Sequence, residues 1–149
     1  MNKIIFLDFD GCITTYKSGY KIDPEKVELL LKIVEETDAK IVITSSWRSY
    51  NIEETRKKLG DLPFMKYTID VTPRFSYRDS DGDYWSVARG TEIHHWMMKH
   101  GDDVDNYVIL DDEEDMLISQ SSHFVLTDIY TGLSEEHVQK AIEILNGGK

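Results

Sequence analysis

Cysteine is nearly absent from this sequence. Cys12 is the only one, so no intrachain disulfide can form and no multi-cysteine zinc site is available; a reducing compartment suits such a chain. Apolar residues nowhere run to the roughly 18–20 that a membrane-crossing helix needs. Charged Lys3 is followed by only four apolar residues before Asp8, which is not a secretory leader. The expectation is a cytoplasmic protein with no membrane association. Basic residues are scarce as well: 17 Lys and Arg stand against 28 Asp and Glu, a formal net charge of −11. That balance opposes long-range attraction to nucleic acid or anionic membrane, so strong non-specific nucleic-acid binding is not expected. A local basic pocket can still hold one phosphate or a nucleic-acid end. Repeats, low-complexity tracts and linkers are missing too, and no protein partner is evident. The 149 residues suffice for one core and are too few for two, so a single domain over 1–149 is expected.

What is present is organised around Ile4-Ile5-Phe6-Leu7-Asp8-Phe9-Asp10-Gly11, an apolar run of strand length ending in two carboxylates one residue apart. Side chains alternate along a strand, so Asp8 and Asp10 share a side while extended conformation lasts. Two carboxylates so placed repel unless something positive lies between them, and a hard divalent cation is the natural partner of oxygen ligands. Aspartate also ends strands in plain turns, and both readings stand on these residues alone.

Residues 12–20 read as a short loop. Asp23-Pro24 is an N-cap followed by proline at the first helical position, with Val27, Leu30, Leu31 and Val34 at helical spacing to about Thr37. Lys40 to Thr44 is a second apolar run, ending in Ser45-Ser46-Trp47-Arg48. Strand, helix, strand is a right-handed βαβ unit with parallel strands, so both polar ends lie on the carboxyl edge, where open α/β sheets bind ligands. A second helix is expected over Tyr50–Leu59. Residues 61–88 form the least regular part, an extended excursion or hairpin turning at Asp81-Gly82. Its cluster Asp79-Ser80-Asp81-Gly82-Asp83 resembles a calcium loop but fails on register: with Gly82 as the loop glycine, Tyr77 and Ala88 fall at ligand positions. Arg89-Gly90-Thr91 opens a third helix, with Thr91 as its N-cap, running to about His100. Its histidines face different directions and form no paired ligand motif. Tyr107 to Leu110 is a third apolar run, ending in Asp111-Asp112-Glu113-Glu114-Asp115. A fourth strand over His123–Leu126, a helix from Ser134 to Leu145 and a frayed tail Gly147-Gly148-Lys149 complete the chain.

Brought to one edge, these ends suit phosphoryl transfer. Magnesium takes oxygen ligands from carboxylates on two strands, and a carboxylate can itself be the nucleophile. A neighbouring carboxylate can serve as general acid and base. A hydroxyl at Ser45 or Thr44, an arginine and the backbone amides around Gly11 can neutralise the equatorial oxygens.

The order Asp8-Phe9-Asp10-Gly11, apolar strand to Ser45, Arg89 at a helix start and apolar strand to Asp111-Asp112 resembles the four motifs of the haloacid dehalogenase (HAD) superfamily of phosphohydrolases. The likeness spans residues 3 to about 116. It implies an α/β, Rossmann-like parallel sheet flanked by helices, with a small hairpin insertion around 61–88 and no large cap domain. It also implies Asp8 as nucleophile and Mg2+ ligand, and Asp10 as general acid–base whose carbonyl meets the metal. Ser45 and Arg89 would hold the phosphoryl group, Asp111 would complete the metal site, and Asp112 or Asp115 would hold metal-bound water. Gly11, Ser46, Trp47 and Arg48 are candidate substrate contacts.

A closer likeness rests on Ser45-Ser46-Trp47-Arg48, Val71-Thr72-Pro73, Arg89-Gly90-Thr91-Glu92-Ile93 with Trp96, and Val108-Ile109-Leu110-Asp111-Asp112. These are similar to the small HAD-like domains of RNA-repair proteins and, more loosely, to the 3′-phosphatase domain of phage polynucleotide kinase. The implied substrate is a nucleotide or nucleic-acid terminal phosphate. A small phosphorylated metabolite is the alternative, and a phosphate-binding module without turnover is another. Arg48, Arg74, Arg78 and Trp47 can line the pocket. Trp47 either stacks a base or packs in the core. Cys12 stands where the superfamily usually has threonine or valine and reads as packing.

Overall fold

The computed structural model describes residues 2–147; the last two residues of the expected frayed tail lie outside them. Five parallel strands form the main sheet in the order β3-β2-β1-β6-β7. They are β1 (Asn2–Leu7), β2 (Lys40–Ile43), β3 (Thr68–Val71), β6 (Val104–Asp111) and β7 (Phe124–Leu126). A separate antiparallel hairpin is made by β4 (Ser76–Arg78) and β5 (Tyr84–Ser86). Four α-helices complete the fold: α1 (Pro24–Thr37), α2 (Ile52–Leu59), α3 (Arg89–His100) and α4 (Glu135–Leu145).

β1 lies in the middle because it is apolar on both faces. Ile5 and Leu7 join a large core with Val27, Leu30 and Ile33 of α1, Ile52 of α2 and Val138 and Ile142 of α4. Ile4 and Phe6 face the other way, into a smaller core with Val42, Ile109 and Ile93 and Trp96 of α3. Each such side chain contributes about 1.5–3 kcal/mol when fully buried. Four in a row make a central strand that can carry costly buried carboxylates at its end. The strand order reverses at β1, between β2 and β6, which is the switch point where α/β sheets open a ligand crevice.

Local chemistry sets most helix starts. Asp23 accepts from the Glu25 amide at 3.0 Å with Pro24 at the first position. Asn51 accepts from the Glu54 amide at 2.8 Å, so α2 begins at Ile52, not Tyr50. Ser134 caps α4 as expected. α3 departs from expectation. It begins at Arg89, and Thr91 is not its cap; the Arg89 amide donates to Asp115 Oδ2 at 2.9 Å and the Gly90 amide to the Asp115 carbonyl at 3.2 Å. Gly90 is required there, because a Cβ would sit 2.6 Å from Gln120 Oε1 and 2.7 Å from the Leu117 nitrogen.

The excursion over 61–88 holds more order than expected. β3 is a strand of the main sheet, missed because Thr68-Ile69-Asp70-Val71 has no apolar run: it is an edge strand with Ile69 exposed and Asp70 accepting from Trp96 Nε1 at 2.7 Å. The hairpin turns through Gly82, at φ +84°, with the Asp79 carboxylate accepting from the amides of Asp81 and Asp83 and from Trp85 Nε1.

Candidate active site

The carboxyl ends of β1 and β6 bring Asp8, Asp111 and Asp112 together, each with an oxygen within 4.8 Å of the others. Asp8 is 6 % and Asp111 1 % exposed. Asp8 Oδ1 accepts from the Phe9 amide at 2.9 Å, and Asp111 Oδ1 from the Glu113 amide at 3.0 Å. Asp111 Oδ2 is buried with no hydrogen-bond partner. A buried orphaned carboxylate oxygen is costly unless something satisfies it. A divalent cation among three carboxylates would do so, and the all-oxygen donor set suits magnesium. Burial raises the pKa of Asp8, against the pull of Arg89. Burial and the charge of Asp8 raise that of Asp111. Both shifts express the cost of two desolvated negative charges side by side.

Arg89 supplies the positive charge. Leaving the start of α3, its guanidinium lies 3.4 Å from Asp8 Oδ1 and donates to the Thr44 carbonyl. Burial works against its charge, but Asp8, Asp111, Glu92 and Asp115 outweigh burial and hold its pKa above the ordinary value.

Asp10 turns elsewhere. Thr14 Oγ1 donates to it at 2.6 Å, and Trp47 Nε1 approaches its two oxygens at 3.2 and 3.3 Å. Trp47 is half-buried against Phe9, with ring centroids 5.5 Å apart. Its polar edge orients Asp10, a role that neither stacking nor plain core packing anticipates. Gly11, at φ +80°, lets the chain pass under Asp112, where a Cβ would meet Asp112 Cγ at 2.4 Å. The amides of Gly11 and Cys12 are engaged inside the turn, by the carbonyls of Thr14 and Phe9, and do not face a ligand as expected. Cys12 is fully buried, its sulfur 3.3 Å from Thr127 Oγ1, with burial raising the thiol pKa; it packs.

The two hydroxyls weighed at the end of β2 are both buried. Ser45 Oγ accepts from the Trp47 amide at 3.1 Å and keeps its own proton to donate; Thr44 Oγ1 has no partner. Ser46 lines the cleft. Arg48, taken as a substrate contact, is occupied: it donates to the carbonyls of Thr44, Ser45, Thr72 and Pro73 and pairs with Glu92 at 2.9 Å, its side chain 2 % exposed. Burial lowers its pKa to about 10, which keeps it charged at neutral pH. Arg48 ties two backbone segments, 44–45 and 72–73, to Glu92 of α3 at the inner wall of the cleft.

The cleft itself, about 450 Å³, runs from Asp8, Asp111 and Arg89 outward between Glu113 and Asp115 on one side and Arg74, Ser76 and Ser86 at the hairpin's root on the other. Sequence reasoning missed the hairpin as a wall. The alternation Phe75, Tyr77 and Tyr84, Trp85 around Asp81-Gly82 was the signal, but nothing local says which way a hairpin leans.

A parallel sheet with paired aspartates at the ends of β1 and β6, and an arginine reaching them from a helix start, defines a HAD-type domain. The chain matches, over residues 4–138, the model of a family described as the HAD domain in Swiss Army Knife RNA repair proteins, and it belongs to that family. No curated protein matches it. At superfamily level the HAD domain points to a phosphatase-type hydrolase. HAD domains generally use Mg2+, and the buried aspartates are a cluster able to bind a metal ion. No helix among the described residues is long and apolar enough to cross a membrane.

Proposed function

We propose that this chain is a magnesium-dependent phosphomonoester hydrolase that works through an aspartyl phosphate as one catalytic domain, and that it acts on terminal phosphates of nucleic acids. The observation that carries the chemistry is the triad of Asp8, Asp111 and Asp112 with an orphaned oxygen on Asp111 and Arg89 beside Asp8. The substrate class rests on the RNA-repair description of the family and on a cleft open past an arginine.

Asp8, Asp111 and Asp112, with the Asp10 carbonyl, would hold magnesium, which would offset the carboxylate charge and let an anionic phosphoryl group approach. An Asp8 oxygen attacks phosphorus and the ester P–O bond breaks; the leaving oxygen takes a proton from Asp10. Water then attacks the acyl phosphate, gives its proton to Asp10, and phosphate departs from Asp8. Arg89 and the Ser45 hydroxyl stabilise the equatorial oxygens. Trp47 and Thr14 hold Asp10 in one orientation through both proton transfers.

Phosphate release from an aryl phosphate, 3′- and 5′-nucleotides and 3′- and 5′-phosphorylated oligonucleotides, with magnesium or with chelator, tests this. Activity should require magnesium and vanish in Asp8→Asn. Turnover that survives either change would overturn the mechanism, and preference for mononucleotides or aryl phosphate over oligonucleotides would overturn the substrate class.

A further inference from the structure

The hairpin projects from the rim of the cleft with almost nothing buried. All residues of β4 and β5 are exposed, and so are Phe75 and most of the turn. Yet it carries four aromatic side chains: Phe75, Tyr77, Tyr84 and Trp85 are 38 %, 54 %, 69 % and 54 % exposed. Phe75 packs on His95 and cross-strand contacts hold part of the others, but these offset little of the aromatic surface left in water, so their placement calls for a partner.

Register sorts them into two faces. Ser76 pairs with Ser86, Tyr77 with Trp85, and Arg78 with Tyr84. Side chains alternate, so the Arg78–Tyr84 pair lies on the face of Ser76 and Ser86, which line the cleft together with Phe75 and Val87 at the hairpin's root. It sits one pair of residues, about 7 Å, farther out. Tyr77 and Trp85 take the opposite face, with the Trp85 indole donating to Asp79 at 2.8 Å.

The Arg78 guanidinium lies over the Tyr84 ring, 4.6 Å from its centroid, and donates to the Tyr84 hydroxyl at 2.7 Å. Stacked in that way, it is held in place with further N–H groups left to donate, while the tyrosine ring is mostly open. Arg48 is occupied by Glu92 and backbone carbonyls, and Arg89 is committed to the Asp8 end of the cleft, where the terminal phosphoryl group would sit. Arg74 and Arg78 are therefore the guanidiniums with capacity left along this path, in a chain of net charge −11.

We propose that Arg78 and Tyr84 form a nucleotide subsite: they hold the backbone phosphate and base next to the terminal phosphate of a single-stranded nucleic acid whose end enters the Asp8 cleft. The identity of the occupant rests on the nucleic-acid reading above; the subsite itself rests on the hairpin. Guanidinium with an aromatic platform is the chemistry that binds single strands without sequence preference. The tip beyond it is acidic, with Asp79, Asp81 and Asp83, so the subsite is short. Recognition stops within a nucleotide or two of the end, consistent with a chain that should not coat nucleic acid.

Two measurements on the full chain test it. Fluorescence anisotropy of a labelled, 3′- or 5′-phosphorylated single-stranded oligonucleotide on Asp8→Asn, with magnesium, reads binding without turnover. Adding Arg78→Ala and Tyr84→Ala should weaken binding roughly five- to a hundredfold, the range of one lost base stack, whereas Tyr77→Ala should leave it as it was. On the otherwise wild-type chain, the same pair should lower the ratio of kcat/KM for oligonucleotide to kcat/KM for aryl phosphate by a similar factor, through KM. No oligonucleotide binding by Asp8→Asn, equal binding with and without the pair, or equal loss on both substrates would each overturn the subsite. Failure of the phosphatase reading shows separately, as no aryl phosphate turnover by the wild-type chain, and leaves the anisotropy result to decide the hairpin.

Discussion

The sheet edge and the hairpin form two walls of one cleft and are built on opposite plans. At the edge, charged groups are buried: Asp8, Asp111, Arg48 and Glu92 are each at most 6 % exposed, and they come from β1, β6, the turn after β2 and α3, around the end of a central strand with apolar faces on both sides. On the hairpin, apolar groups are exposed, and a turn with a few hydrogen bonds holds them. Burial strengthens every charge interaction at the edge and makes each costly to disturb. Exposure leaves the hairpin free to change without cost to the fold. The difference separates a fixed chemical centre from an adaptable wall, and substitutions at the two should differ in kind as well as size.

The largest effect is expected at the edge. Asp8→Asn should lower kcat by on the order of a thousandfold or more, as loss of a covalent nucleophile does elsewhere, with the fold intact by circular dichroism. Arg48→Ala should destabilise the protein by about 3–5 kcal/mol, because it removes the cation that contacts buried Glu92 at 2.9 Å, leaving only Arg89 at 3.9 Å, and frees four carbonyls; chemical denaturation reads this directly. A Tm that hardly moves would mean that the buried ion pair is not what holds the edge together.

The pH dependence should be next in size. Asp8 and Asp111 have pKa values raised on folding, so the folded state binds more protons than the unfolded chain, and stability from these groups falls as pH rises. It is intact below about 4, the ordinary carboxylate range, and is lost progressively toward the raised values. In chelator, Tm should therefore fall from weakly acidic to weakly alkaline pH, and the gain on adding magnesium should grow over the same interval. Asp111→Asn should flatten both trends. The smallest effect is on the other wall: Tyr77→Ala should shift stability by no more than about 0.5 kcal/mol, as exposed substitutions do. A larger shift would show that the hairpin is part of the fold's support and blur the contrast.

The two walls were also unequally legible. Strands β1, β2 and β6 announce themselves as short apolar runs ending in polar residues, because buried parallel strands must be apolar on both faces. β3 has a polar residue buried at one end, an exposed Ile69 and a charge in the middle, so it leaves no such mark. The sequence offers Arg89 for the phosphoryl group and Arg48 as a substrate contact, with nothing to show that Arg48 is bound up within the fold. Both approach Glu92 and the Thr44 carbonyl; what separates them is the further set of carbonyls, Ser45, Thr72 and Pro73, that Arg48 alone takes up. The tie between Trp47 and Asp10 spans 37 positions, beyond anything periodicity reports. Thr91 has the composition of a cap but lost the role to Asp115, which arrives from the loop after β6.

That last contact makes the loop a ruler. Asp111 and Asp112 at one end lie at the carboxylate cluster, and Asp115 at the other pins the first amides of α3 and so sets the position of Arg89. Between them Glu113 holds Asp111 through its backbone amide, whatever its side chain, so for the position of the cluster the number of residues matters more than their identity. One inserted or deleted residue would shift either the cluster or the arginine, and the same small error in length would separate the positive charge from the negative ones it must face.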